Sequence, residues 1–369
     1  MSPPGFARLR CALSGAFTLV EILVSLAVLT ILLLISAQVI GQVQSTWTAS
    51  NARVSQFREA RTAFDIITRN LSQATLNTYV DYSTSYLSDT ASILTAAPEK
   101  YERKSDLQFI CGPAGGGGGL VNGAGTADDS VLPGHAVFFQ APLGVSHTPA
   151  LVGLDRLLCA RGYFVKFSSD AFFRPPFLPS GGLRYRYRLM EYSPPAEKNL
   201  IYTTGTATTG TSWYGNAGAE MATDENPENL SLTRPVADNI LTLIISPQLE
   251  RAIAIGGAEP TRIASKFAYD SSVISTSIPG LGVQGTQHLL PPLVRVVLVA
   301  IDERSAQRLS EAAGEESDQP PFGSELNIFQ NAAELDDNLE DIKKTLSEKR
   351  VNFRIFSATI QLRGAKWSI

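Results

Sequence analysis

Few residues of this 369-residue chain have the types and spacing that covalent chemistry requires. His135, His147 and His288 are isolated in sequence. No His-x-x-x-His, His-Glu-x-x-His or Cys-x-x-Cys accompanies them, so no zinc ligand set can be read. No Gly-x-Ser-x-Gly elbow is present. Asp128-Asp129 and Asp336-Asp337 could ligate calcium but lack the spaced loop of a dedicated site. The first reads as a turn and the second as a solvated helix face. The five consecutive glycines from Gly115 to Gly119 have no following Gly-Lys-Ser/Thr and open no helix, so they form no phosphate cradle. Carboxylates paired only in the fold stay open for acid–base work, but these patterns point away from an enzyme and call for no cofactor or metal.

One ionisable group has a setting that asks for a reason. Glu21 lies in the first turns of an apolar run, Phe17-Thr-Leu-Val-Glu21 continued by residues 22–35, where a charge costs about 2.5–3.5 kcal/mol on insertion scales. The run is long enough to cross a bilayer, for which roughly 20 residues are needed. Arg8 and Arg10 precede it, so the positive-inside rule keeps the N-terminus cytoplasmic and exports the chain beyond residue 40. A cleaved secretory signal is the ordinary alternative. Against it stand a run longer than a signal's roughly 7–15 apolar residues, the lack of a small-x-small site after it, and the acid at its cytoplasmic end.

A short basic leader, then Phe17-Thr-Leu-Val-Glu21, then an apolar helix resembles the N-terminus of type IV prepilins and type II secretion pseudopilins. The resemblance implies cleavage by a prepilin peptidase between Ala16 and Phe17, methylation of the new Phe17 amine, and packing of the mature helices into a filament. Glu21 then becomes the fifth mature residue and pairs with the Phe17 amine of a neighbouring subunit. The family usually has Gly before the cut. Here Ala16 stands there with Gly15 one step earlier, and a cut after Gly15 would make Glu21 sixth. The bland alternative is that Glu21 snorkels to the interface and does nothing.

The rest of the chain supports an exported head. With 18% charged residues and a formal charge of −4, lowered by two when a leader carrying Arg8 and Arg10 is removed, it shows no nucleic-acid footprint. Cys11 leaves with such a leader. Cys111 and Cys159 could form one bridge in an oxidising compartment or remain two buried thiols, and the sequence admits both. From Gln42 to Asn77, Val43, Trp47, Val54, Phe57, Phe64 and Leu71 recur at helical spacing, and the expected role of Trp47, Phe57 and Phe64 is core packing. No proline interrupts Phe17 to Asn77, and Gly41 is a plausible bend, so a helix of roughly 90 Å is expected at 1.5 Å per residue.

Beyond Asn77 the period changes to that of strands, expected at Leu107–Cys111, Ala136–Gln140, Gly162–Phe167, Leu183–Tyr192, Ile240–Ser246, Val294–Ile301 and Phe353–Leu362. Arg184, Arg186 and Arg188 alternate with apolar residues and read as one wet face, with an anionic partner as the sharper alternative. Residues 294–299 are more uniformly apolar and read as central. The Gly-rich 112–125 and Thr/Gly-rich 203–218 segments read as flexible loops, and Leu335, Leu339, Ile342 and Leu346 mark a late amphipathic helix.

The expected organisation is a leader (1–16), a transmembrane assembly helix (17–40), its amphipathic continuation (41–77) and an exported head (78–369). The fold class is α+β, with a long N-terminal helix packed on an antiparallel sheet. The strand at 290–298 is similar to the late strand of J-type minor pseudopilins. Ala136-Val-Phe-Phe-Gln-Ala-Pro-Leu-Gly144, Arg161-Gly-Tyr-Phe-Val165, Tyr187-Arg-Leu-Met-Glu191 and the terminal 354–367 resemble the Verru_Chthon cassette protein C family. That resemblance implies heteromeric company, other pilin-like subunits with the same N-terminal motif, and assigns no binding residues. The resulting expectation is a non-enzymatic, single-pass subunit in a bacterial inner membrane with a periplasmic head, carried by a pilus-like or pseudopilus assembly and placed at its tip. A pilin-anchored surface adhesin using the Gly/Thr loops is the alternative, and a membrane-anchored protein that never leaves the bilayer is a third.

Overall fold

A run of helix formers without proline produces the first element. In the computed structural model α1 spans Leu19–Ser72, 54 residues, and continues through Gly41. It ends five residues before Asn77. The amides of Gln73 and Ala74 turn back to the carbonyls of Asn70 and Leu71, and Thr75 N–H donates instead to the Gln140 carbonyl. The structure describes residues 18–82, 100–121, 130–146, 148–151, 153–154, 156–171, 177, 182–204, 213–215, 217–218, 232–249, 263–276, 278, 281–313 and 319–367. Contacts divide the chain into two units, Met1–Val54 and Ser55–Ile369, and α1 contributes to both.

In the second unit the helix presents Ala60, Ala63, Phe64, Ile67 and Leu71 to the core, with Phe57 half-buried beside them. The expected stripe is therefore right from Phe57 onward. It fails at Val43 and Trp47, which are 60% and 69% exposed in the first unit. The buried set is narrow because two alanines let the helix approach closely while Phe64 meets Phe356 at 5.9 Å between ring centroids.

The strands are β1 (Tyr79–Tyr82), β2 (Tyr101–Lys104), β3 (Ile110–Pro113), β4 (His135–Pro142), β5 (Leu158–Ser168), β6 (Arg186–Tyr192), β7 (Thr233–Asp238), β8 (Ile240–Gln248), β9 (Tyr269–Asp270), β10 (Leu293–Ile301) and β11 (Phe353–Gln361). They form a six-stranded sheet in the order β7-β6-β5-β4-β3-β9, a three-stranded sheet β11-β10-β8 and the ribbon β1-β2. Every strand pair within these sheets is antiparallel. The protein is thus α+β with one long apolar N-terminal helix and antiparallel sheets. β10 is central in its sheet, as its uniform apolarity implied.

The two sheets share a corner and a seam. The corner is Asn239, the single residue between β7 and β8, at φ 59°, a left-handed conformation that Asn tolerates better than most residues. The seam is a parallel bridge between Gly134 and Leu243. Gly134 has φ 75°, and a Cβ there would stand 2.2 Å from Thr242 Oγ1 and 2.5 Å from the Leu243 carbonyl oxygen, so only glycine fits.

Odd-numbered residues of β4 and β5 (Val137, Phe139, Tyr163, Val165) face the main core shared with β8, β10 and α1. Even-numbered ones (Phe138, Phe164) face a second cluster closed by Trp213, Tyr214 and Ile201. The end of the Thr/Gly-rich segment is therefore core rather than free loop: Trp213 is 1% exposed, and its Nε1–H donates to Gln108 at 2.9 Å. Residues 205–212 lie outside the described residues.

Besides a four-residue helical turn at Ile201–Thr204, two longer helices belong to the second unit. α2 (Glu303–Ala313) begins at Asp302, whose Oδ1 accepts the Ser305 N–H at 2.9 Å in N-cap fashion. α3 (Leu335–Glu348) buries Leu335, Leu339, Ile342 and Leu346 as expected, plus Asn338. Asp336 in its first turn pairs with Arg295 at 2.8 Å, while Asp128-Asp129 lies outside the described residues.

The register settles the cysteine question. Cys111 faces Val137 and Cys159 faces Ala141, so β4 separates them, with a four-residue offset. That is about 10 Å across the sheet and about 13 Å along it, whereas a disulfide needs Cα atoms within about 7 Å. Both are buried free thiols, and burial pushes the Cys111 thiol pKa up, away from reactivity. Both should be alkylated only after denaturation, with identical electrophoretic mobility with and without reductant. Recovery of a peptide disulfide joining 111 and 159 would contradict this arrangement.

Candidate functional site

The first unit concentrates the residues singled out by spacing. Residues Leu19–Thr48 form 30 residues of helix long and apolar enough to cross a membrane, and none of the most apolar stretch is buried inside the protein. Two of its hydroxyls turn back onto the helix: Ser25 donates to the Ile22 carbonyl at 2.9 Å and Thr30 to the Ala27 carbonyl at 2.8 Å. That is the arrangement a helix needs where no water is available.

Glu21 sits in the first turn, exposed, and its N–H donates to Thr18 Oγ1 at 3.3 Å. Thr18 thus caps the helix, and the Thr18-x-x-Glu21 spacing is that of a capping box. Sequence reading for lipid chemistry overlooked this local role, although the signal was present. An acid in the first turn also suits the positive end of the helix dipole. Ala16 and Phe17, the expected processing residues, lie outside the described residues.

In the second unit, chemistry-bearing side chains are used structurally. His135 is 1% exposed. Its Nδ1 accepts the Ile245 N–H at 3.1 Å, which leaves Nε2 to donate to the Phe329 carbonyl at 3.4 Å. Burial lowers its pKa to about 4, so the ring is neutral and fastens β4 to β8. His288 is half-buried at φ 56°, its pKa lowered by burial, and its carbonyl accepts from Thr78 Oγ1. His147 lies outside the described residues. Among the described residues no group of three His, Cys, Asp or Glu side chains could hold a metal ion.

Arg184, ahead of β6, is exposed as the wet-face expectation has it, but the other two arginines of the row correct that expectation. Arg186 and Arg188 are 8% and 3% exposed, because β6 runs between β5 and β7 with both faces covered. Arg188 Nε donates to Asp238 at 3.0 Å, Nη2 to the Arg184 carbonyl at 3.1 Å, and Nη1 to the Ser168 carbonyl. Arg186 reaches Glu303 on α2 at 3.3 Å. Glu303 also accepts from Asn239 at 2.7 Å, so the pair braces the corner between the sheets. These are structural ion pairs at covered sites. A second chain of bonds ties α1 to the sheet: Asn70 Nδ2 donates to Tyr163 OH at 2.7 Å, and that hydroxyl donates to Glu191 at 2.8 Å.

Two clefts remain. One, about 250 Å³, is lined by Gly115–Gly118, Gly134, His135, Asn327 and Gln330. The glycine run beside it is folded rather than loose, with Leu120 N–H on the Pro113 carbonyl, Val121 N–H on that of Ala114, and Gly116 at φ 79°. Gly119 could not carry a Cβ, which would lie 2.3 Å from the Gly115 carbonyl oxygen. The other, about 270 Å³, lies between Arg184, Arg186, Glu303 and Glu311. Its charges of both signs are partly paired with each other. Neither cleft brings together a nucleophile, a base and an oxyanion donor.

Comparison with known protein families, with curated proteins and with solved structures finds no match.

Proposed function

We propose that this chain is a non-enzymatic, prepilin-like minor subunit, anchored in a bacterial inner membrane by α1 with its head on the periplasmic side. It is cut by a prepilin peptidase between Ala16 and Phe17 and assembled laterally with other pilin-like subunits through residues 17–40. The carrying observation is the first unit: a 30-residue helical stretch apolar enough to cross a membrane, with none of its most apolar part covered by the protein and one carboxylate, Glu21, in its first turn. Arg8 and Arg10 on one side and Trp47 at the far end of the span fit the charge asymmetry and aromatic belt of a membrane helix. The covered helix half, Ser55–Ser72, belongs with the antiparallel sheets, as a pilin-like fold would have it. The bulk of the second unit favours a low-copy tip or initiator over a repeating shaft subunit.

The adhesin alternative rested on the Gly/Thr loops as free contact surface. Trp213 and Tyr214 in a core and Gly119 in a tight turn weigh against it, and deleting those loops would damage the fold instead of reporting on a ligand.

Mass spectrometry of the mature N-terminus, made with the native processing peptidase present, tests the proposal. The expected species begins at a methylated Phe17. A terminus beyond residue 40 would mean ordinary signal cleavage and would overturn it.

A further inference from the structure

Sheet edges are pairing hazards that proteins blunt with charge, proline, short length, irregularity or a cover. Most edges here obey that rule. β7 contains Pro235, Arg234 and Asp238, its register against β6 is irregular, and Glu59 accepts the Asp238 N–H at 3.4 Å. β9 is two residues long. β8 is closed by the Gly134–Leu243 bridge and by His135 on the Ile245 N–H. β2 is capped by one side chain: the Gln284 amide accepts the Arg103 N–H at 2.8 Å and donates to the Arg103 carbonyl at 2.9 Å, standing in for a strand. β1 is four residues long with Asp81 near its end.

β11 departs from the rule. It runs nine residues, Phe353–Gln361, in unbroken register with β10 on one side, and no described residue bonds to its backbone on the other. It holds no proline, and Arg354 is its one charge. Ser357, Thr359 and Gln361 are exposed, so the side chains flanking the free edge are small or neutral. In an antiparallel strand every second residue then offers an unpaired N–H and C=O.

We propose that the β11 edge pairs with the β11 edge of a second copy of this chain, antiparallel and centred on Ser357, joining two three-stranded sheets into one of six strands. Self-pairing is favoured by the strand's own charge pattern. Ser357 is its midpoint, so a two-fold there overlaps all nine residues. It sets Arg354 opposite Ile360 of the partner and Ile355 opposite Thr359, with no like charges facing. Backbone hydrogen bonds supply the affinity, as in other strand additions. The contact uses only the second unit, so it stands independently of assembly through Glu21.

The test uses the full chain in detergent with Cys11→Ser, Cys111 and Cys159 being buried. Ser357→Cys should form a covalent dimer under mild oxidation, whereas Thr359→Cys, which faces Ile355, should not. Sedimentation should show the parent protein dimerising, and Ser357→Lys with Thr359→Lys should weaken that about tenfold or more while circular dichroism stays unchanged. A monomeric parent protein with no cross-link from Ser357→Cys would overturn the proposal, and so would a cross-link from Thr359→Cys in place of Ser357→Cys, which would move the centre of the pairing. A dimer indifferent to the two lysines would do the same by placing the contact elsewhere. Glu21→Ala should leave the cross-link intact, which separates failure of this pairing from failure of the assembly function.

Discussion

On the proposed assembly role, Glu21→Ala should reduce incorporation of the chain by about 100-fold while leaving head folding and membrane insertion unchanged. That factor reflects the cost of an unpaired carboxylate in lipid, about 2.5–3.5 kcal/mol, most of which a pairing cation on a neighbour would recover. Thr18 complicates the interpretation: its Oγ1 accepts the Glu21 N–H, a bond that any side chain at 21 keeps, but the capping-box spacing gives the Glu21 side chain a competing role on the Thr18 N–H. Glu21→Gln separates the two. Glutamine serves a capping box as well as glutamate does, but carries no charge. If pairing with the Phe17 amine of the next subunit is the role, Gln should fail as badly as Ala. If capping is the role, Gln should behave like the parent protein and Ala should cost about 1 kcal/mol of helix stability at most. Co-purification of tagged and untagged subunits with their native partners reads incorporation directly, and normal incorporation of both variants would sink the assembly role of Glu21.

Sequence was most informative where one local period decided the outcome. α1, α3 and seven strands are legible from apolar spacing, because each buries a face whose pattern repeats along the chain. Spacing fails where partners are remote. Arg186 and Arg188 alternate with Tyr187 and Leu189 as a half-wet strand does. What buries them is Glu303, 117 residues on, and Asp238, 50 residues on. β7 escapes notice because Thr-Arg-Pro-Val-Ala-Asp holds a proline and two charges, the composition of an edge strand rather than an obvious one. α2 escapes because few of its residues face the core, although Asp302 is a readable cap. Trp47 misleads because helical spacing says which face a residue shares and not whether protein covers that face. For the candidate site the place of Glu21 in the first turn of an apolar helix is legible, the Thr18 cap is legible but easily passed over, and the expected processing residues lie outside the described part of the chain.

His135→Leu should lower the stability of the folded chain by about 2–4 kcal/mol at neutral pH. It would strand two buried backbone groups, the Ile245 N–H and the Phe329 carbonyl, at about 1–3 kcal/mol each. The parent protein should also weaken in acid through the same ring. Burial lowers the folded-state pKa from 6.5 to about 4, so the unfolded chain binds more protons throughout that interval. The ring's contribution is therefore fully present above pH 6.5 and lost as pH falls towards 4, amounting to about 2 kcal/mol between pH 7.5 and 5. His288, also lowered by burial, acts in the same direction, and Glu59, raised by burial, in the opposite one, so the bare pH slope does not isolate His135. The difference between parent protein and His135→Leu does, since the other groups are common to both. Urea unfolding monitored by tryptophan fluorescence in mild detergent should show that difference shrinking by about 2 kcal/mol from pH 7.5 to 5. If the two curves fall in parallel, the proton that weakens the seam between β4 and β8 is bound elsewhere, and the neutral His135 bridge is not what joins the sheets.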